Sequence, residues 1–219
     1  MRFEEKGAVR MKKHMKIMIL TSIVTLLPIL VGLALWQQLP AEVPTHWNGA
    51  GEVDGYSSKT FAVMGLPLIL VAVQWFMGFI VLADPKNRNI SEPVMKLVFW
   101  IIPALSLVMN TAVYFIALGV KIPIERITPV LVGVLFVALG IYMPRCKQNY
   151  TVGFKMAWTL NSEENWNRTH RFAGPVWIVA GVLAILFGLF GLVIPMLVVL
   201  AAAGILPMIY SFVLYRKGI

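Results

Sequence analysis

Between Pro175 and Tyr215 the chain runs for 41 residues without an Asp, Glu, Lys or Arg. As one helix that block would be about 60 Å long, roughly twice the hydrocarbon thickness of a bilayer. It must therefore fold back on itself. Gly188, Gly191 and Pro195 supply the turn, dividing the block into Pro175–Leu189 and Leu192–Tyr215. Four more runs are free of charge: Ile17–Trp36, Phe61–Ala83, Leu97–Leu118 and Ile127–Met143. Each lies near the ~20 residues that cross a membrane as a helix. With 59% hydrophobic and 13% charged residues, the composition is far from that of a soluble domain. The expected fold is an all-α, polytopic membrane helix bundle with six transmembrane helices.

The cations orient it. Arg2, Lys6, Arg10, Lys12, Lys13 and Lys16 precede the first span, and Lys86, Arg88 and Lys96 follow the second. Arg145, Lys147, Lys155, Arg168 and Arg171 follow the fourth, and Arg216 and Lys217 the sixth. Sixteen of the 19 Lys and Arg thus share one side, with Lys59, Lys121 and Arg126 opposite, which implies both termini inside. A basic edge beside anionic lipid explains the net charge of +9, and no direct nucleic-acid binding is expected. The first span is read as a retained anchor, because its uncharged run exceeds a signal-peptide core and Leu33-Ala34-Leu35-Trp36 is a poor cleavage site. The lone Cys146 excludes an intrachain disulfide. The chain parses into a basic N-terminus (1–16), a first helix pair (17–83) around an outer loop (37–60), and a second pair (84–143). A polar cytoplasmic segment (144–174) and a final hairpin with a basic tail (175–219) complete it.

No formal charge falls inside a span, which argues against a transporter, since a solute or ion needs coordination at membrane depth. Asn110-Thr111 is the notable intramembrane polar pair and reads as a helix–helix hydrogen bond. Gly133/Gly140 and Gly181/Gly188 repeat at seven-residue spacing and are expected to bring neighbouring backbones close within the chain. Function is therefore sought at the two wet faces.

The outer loop, Leu39–Lys59, reads "LPAEVPTHWNGAGEVDGYSSK". Its prolines favour extended backbone and its glycines sharp turns. Two readings stand side by side. One is a docking surface for an external peptide, carried by Pro44, His46, Trp47, Glu52, Asp54 and Tyr56; the other is an ordered cap anchored by Trp47 and Tyr56. His46 with Glu52 and Asp54 lacks the repeat spacing of a metal site, so neither metal nor cofactor is expected.

On the inner side "NYTVGFKMAWTLNSEENWNRTHRFAG", Asn149–Gly174, is dense in hydrogen-bonding and aromatic side chains. Asn161 and Glu164 have N-cap-to-N3 spacing. A helix starting there would place Trp166, Thr169, His170 and Ala173 on one face and pair Glu164 with Arg168 at i,i+4. The expectation is a cytoplasmic, interfacial amphipathic helix beneath the bundle.

These same residues resemble the signature of the SdpI family of bacteriocin-immunity membrane proteins. The match runs through Asn149, Gly153, Trp158, Thr159, Leu160, Ser162, Trp166, Thr169, His170, Arg171 and Gly174. Lys155 and Ala157 depart from it, standing where Arg and Pro are expected, and Lys loses the planar fork that bidentate contacts need. The outer "LPAEVPTHWNGAGEVDGY" resembles the short domain of unknown function that often precedes this signature. The resemblance implies protection against a secreted, membrane-active toxin peptide at the outer face. It also implies a cytoplasmic contact surface that retains a winged-helix repressor, made of Asn149, Gly153, Lys155, Trp158, Thr159, Leu160, Ser162, Glu164, Trp166, Thr169, His170 and Arg171. Three rivals are weighed against it. "EENWNR", Glu163–Arg168, spells the EExxxR pattern of CPBP-like intramembrane peptidases, but Glu163 and Glu164 precede the span and the companion intramembrane histidines are lacking. A small-molecule transporter conflicts with the uncharged spans. A pure sensor of envelope peptide shares the topology and differs only in outcome.

Overall fold

The computed structural model describes residues 2–219, with side chains from Lys12 onward. Arg2, Lys6 and Arg10 of the basic N-terminal segment therefore lie outside the described side chains. The long helices are α1 (Arg2–Ala34), α2 (Leu66–Ala83), α3 (Glu92–Ala117) and α4 (Ile124–Tyr142). The five-residue α5 (Ala157–Asn161) precedes α6 (Glu163–Leu189) and α7 (Val193–Arg216). A single π-helical turn, Phe61–Gly65, leads into α2. Among the described residues six helices are long and apolar enough to cross a membrane: Lys12–Ala34, Phe61–Ala83, Glu92–Ala117, Ile124–Arg145, Glu163–Leu189 and Val193–Arg216. Their outward side chains, such as Phe76, Phe79, Ile194 and Val198, are large, apolar and exposed, as lipid contact requires. The protein is a multi-pass membrane helix bundle.

The outer loop takes up the extended backbone and sharp turn that its prolines and glycines favour: Glu42–Trp47 (β1) and Val53–Ser58 (β2) form an antiparallel hairpin, pairing Pro44 with Tyr56 and Trp47 with Val53. Asn48 closes the turn, its Oδ1 accepting from the Glu52 N–H at 3.0 Å. The fifth span does not start at Pro175, and residues 163–174, expected in an interfacial helix, are continuous with it. α6 begins at Glu163 and continues through Pro175 without a break. Proline inside a membrane helix is tolerated because neighbouring elements compensate for the lost bond, and α1, α3, α4 and α7 each contain one too. The start signal also lies one residue later than the spacing predicts, since Ser162 is the N-cap and its Oγ accepts from the Asn165 N–H at 3.1 Å.

The chain folds as two compact units. In the first, made of α1, the hairpin strands, α2 and Met95–Ile122, an apolar cluster of Leu39, Val43, Ala62, Val63, Val113 and Tyr114 is fully buried. Deeper in the same unit, Gln74 of α2 is buried among α1 hydroxyls: its amide donates to Thr21 Oγ1 at 2.6 Å and accepts from Thr25 Oγ1 at 2.8 Å. The bond between α1 and α3 is made by Ser106, which donates to the Thr25 carbonyl at 2.8 Å. Asn110, expected to bridge helices, instead donates within α3 to the Ser106 carbonyl at 2.9 Å.

The second unit holds Asp84–Val94 and Pro123–Ile219. Here the glycine pattern does what its spacing predicts. A Cβ on Gly133 would sit 2.6 Å from the Gly181 carbonyl oxygen, and one on Gly140 2.8 Å from that of Gly174. The two backbones touch, so α4 and α6 pack at a distance that only hydrogen side chains permit. The remaining glycine of the two pairs, Gly188, meets Pro129 instead. α6 and α7 turn back at Gly191, whose φ is +69°.

Candidate functional site

The polar loop between α4 and α6 is a latched structure, and many of its latch residues are among those the sequence singles out. Asn149 is wholly buried. Its Oδ1 accepts from the N–H groups of Val152 (2.6 Å) and Thr151 (2.9 Å). Its Nδ2 donates to the carbonyls of Lys147 (2.9 Å) and Val152 (3.0 Å). One side chain thus satisfies four backbone groups of a tight loop, which an amide can do and a carboxylate or hydroxyl cannot. The loop then meets Gly153 at φ +124°, where a Cβ would strike His170 Nε2 and the Trp166 ring. Glycine is required here by both conformation and space.

Trp166 and His170, on one face of α6 as expected, point inward and are fully buried. Their rings stack at 4.1 Å. Trp166 Nε1 donates to the Cys146 carbonyl at 2.7 Å. His170 Nε2 lies 3.0 Å from the Phe154 N–H, and its Nδ1 lies 2.8 Å from the Trp166 carbonyl. The first partner can only donate and the second can only accept, so the ring is neutral with its proton on Nδ1. Thr159, also fully buried, accepts from the Met156 N–H at 2.9 Å and donates to the Phe154 carbonyl at 2.8 Å, starting α5. Thr169 donates to Asn165 Oδ1 at 3.1 Å, and Asn165 Nδ2 reaches the carbonyls of Ser211 and Ile219, both at 3.0 Å. Trp158 Nε1 donates to Ser211 Oγ at 3.0 Å, and its ring stacks on Tyr215.

Four participants carry no signal in the linear sequence. Asp84, buried just after α2, accepts from the Tyr150 N–H at 2.8 Å and from Thr151 Oγ1 at 2.9 Å. Gln148 donates to the carbonyls of Thr159 (2.9 Å) and Leu160 (3.0 Å), closing the end of α5. Lys86 donates to Gln148 Oε1 at 2.6 Å, and Asn89 to the Gln148 carbonyl at 2.7 Å. The ties of Asp84, Lys86 and Asn89 join residues about 60 positions apart, so no local pattern reports them. The Cys146 thiol sits inside the latch, 3.4 Å from the Val152 carbonyl, and burial pushes its pKa up to about 11, with a weaker opposing effect from the Asn149 amide.

What the latch leaves to solvent is a different set. Lys155, Asn161, Glu163, Glu164, Asn167, Arg168 and Arg171 are exposed, whereas Leu160 and Ser162 are half-buried. Glu164 pairs with Arg168 at 2.6 Å as their i,i+4 spacing predicts, a contact worth a few tenths of a kcal/mol at such exposure. Beside α5 a pocket of about 340 Å³ is lined by Trp158, Asn161, Ser162 and Tyr215. Glu163 and Glu164 do not converge with His170, whose two nitrogens are occupied. Among the described residues no group of three His, Cys, Asp or Glu side chains is placed to hold a metal ion.

On the hairpin, Pro44 is buried and Trp47 half-buried, while His46, Glu52, Asp54 and Tyr56 are exposed. His46 Nδ1 lies 2.5 Å from Asp54 Oδ1 across the strands. Lys59 is held against the end of α1, donating to the carbonyls of Trp36 (2.9 Å) and Leu39 (3.0 Å). The hairpin thus has one packed side, with Val43 and Pro44 buried, and one exposed polar side.

Comparison with known proteins gives three findings. Residues 145–211 match the SdpI/YfhL protein family, and residues 23–71 match a domain of unknown function designated DUF1648. Over 206 residues, covering 93% of this chain and 98% of the relative, the chain is 26% identical to the immunity protein SdpI of Bacillus subtilis (strain 168). No solved structure matches the chain significantly.

Proposed function

We propose, from the match of residues 145–211 to the SdpI/YfhL protein family, that this chain is a membrane immunity protein, not an enzyme, protecting its cell against a secreted, membrane-active toxin peptide. The observation that carries the reading is the end-to-end similarity to a protein named for immunity, spanning 98% of that relative. Both termini face the cytoplasm, in accord with the cation bias, and the hairpin faces outward. Its exposed His46, Glu52, Asp54 and Tyr56 form the toxin contact, with Pro44 and Trp47 holding the strands in place. Three acids against one cation across Leu39–Lys59 favour a cationic peptide there.

The inner face is read as a signalling surface. Asn149, Gly153, Thr159, Trp166, Thr169 and His170 set the shape of the loop, and the exposed Lys155, Asn161, Glu163, Glu164 and Asn167 meet the partner. A small winged-helix repressor retained at this surface would let toxin binding induce the protective gene. The pocket beside Trp158 and Tyr215 suits an anchoring side chain of such a partner.

The test expresses the chain in a toxin-sensitive host and measures survival across a panel of pore-forming peptides. At least one peptide should lose killing, and the rescue should fall with His46→Ala plus Tyr56→Ala. Unchanged killing throughout the panel, with the protein present in the membrane, would overturn the proposal.

A further inference from the structure

A second feature of the α6–α7 hairpin lies apart from both wet faces. Between the two helices runs an apolar trench of about 360 Å³. Val176 and Val179 of α6 face Val199 and Leu206 of α7, and the small Ala180 and Ala203 form its floor. Behind it Trp177 donates its indole N–H to the Ala203 carbonyl at 2.9 Å, closing the rear. At its lower end Phe172 and Tyr210 stack at 4.5 Å. The volume is more than twice that of an engineered cavity of about 150 Å³ that binds benzene.

A trench of this kind on a membrane helix pair is filled by something apolar, since an empty one forfeits dispersion contacts along its whole lining. Lipid tails are as apolar as the valines, so burial alone selects no occupant. Charge does. Arg171 is exposed one helical turn, about 6 Å, below Pro175 at the trench mouth. Its neighbours at i±3 and i±4 are Arg168, Gly174, Asn167 and Pro175, so no acid on its own helix neutralises it. Arg216 and Lys217 are exposed at the end of α7, on the same side of the bilayer as Arg171. The trench itself rises about 8 Å along α6 and about 10 Å along α7, within the ~15 Å depth of one leaflet's hydrocarbon. A phosphate at Arg171 and an acyl chain in the trench therefore match the dimensions of one phospholipid in the leaflet on the basic side.

We propose that the α6–α7 trench is a binding site for an anionic phospholipid, with its acyl chain against Ala180 and Ala203 and its headgroup on Arg171. Apart from Arg171, which also belongs to the cytoplasmic signature, the site shares no residue with the toxin and repressor contacts, and its occupant ties the helix hairpin to anionic lipid.

Native mass spectrometry of the full chain, purified in neutral maltoside and titrated with phosphatidylglycerol or phosphatidylcholine, tests this. The wild type should retain one phosphatidylglycerol at several-fold higher occupancy than phosphatidylcholine. Arg171→Gln, a surface change, should equalise the two lipids. Ala202→Phe, which fills the trench from α7, should lower retention of both. Continued protection of Cys146 from maleimide reports that each variant is folded, and the Arg171 result stands without Ala202→Phe if the latter misfolds. Equal retention of the two lipids by the wild type would overturn the proposal. So would an undiminished preference in Arg171→Gln, or a wild-type dimer that Ala202→Phe converts to monomer, since a second copy would then occupy the trench.

Discussion

Removing the Asn149 amide tests whether the buried residues of the inner loop act as a latch. In Asn149→Ala the N–H groups of Thr151 and Val152 and the carbonyls of Lys147 and Val152 lose their partner at once. At about 1 kcal/mol net for each bond, the closed loop is destabilised by about 4 kcal/mol. At 1.4 kcal/mol per decade this raises the open population by nearly three decades, or about 1,000-fold. The chain carries its own reporter. Cys146 is the only cysteine, is buried beside Asn149, and has a thiol pKa pushed up to about 11, so in the closed loop it reacts slowly. When reclosing outpaces the chemistry, the maleimide labelling rate follows the open population. Labelling of detergent-purified Asn149→Ala should therefore be faster than wild type by two to three orders of magnitude, about the factor derived above. Asn149→Asp provides the isosteric comparison. It keeps the two accepting contacts but turns a carboxylate oxygen toward two carbonyls that cannot donate to it. Its buried carboxyl would be favoured in protonated form, so the loop should tighten as pH falls and loosen as pH rises, relative to wild type at each pH. A rate within about tenfold of wild type for Asn149→Ala would refute the latch and leave the burial of these residues as ordinary packing.

Two further outcomes are expected. Gly181→Val places a branched side chain where a Cβ alone would sit 2.5 Å from the Gly133 carbonyl oxygen, so it should destabilise the protein by about 1–3 kcal/mol or more. Gly204→Ala, which meets nothing within 4 Å, should be neutral or stabilising by up to about 1 kcal/mol; thermal unfolding in detergent separates the two, and equal midpoints would contradict the close approach. An impermeant amine reagent applied to intact cells should label Lys121 but not Lys147, both of which are exposed, and the opposite pattern would invert the proposed orientation. Lys59 is the poorer outer probe because two carbonyls hold its ammonium.

Much of this protein is determined by its linear pattern. The charge-free runs require six crossings, because a bare backbone in hydrocarbon must satisfy its own hydrogen bonds and a charged side chain there is costly. The glycine repeat at Gly133/Gly140 and Gly181 is legible for the same reason, being a local pattern with one geometric use. The loop residues from Asn149 to Arg171 stand out through composition and through their resemblance to a family. Their arrangement is another matter. Tertiary structure alone decided that Trp166 and His170 turn inward while Lys155 and Glu164 remain exposed. A helix face selects an outlook only once its neighbour is known, and here the neighbour is the loop at Cys146–Phe154. Tertiary structure also recruited Asp84 and Gln148, whose partners lie dozens of residues away or on other elements. It carried α6 through Pro175, where the residue type suggested a beginning. Crossing number follows from solvent preference, which acts on each segment separately. The latch follows from hydrogen bonds between segments, and those exist only after the chain has brought distant polar groups together out of water.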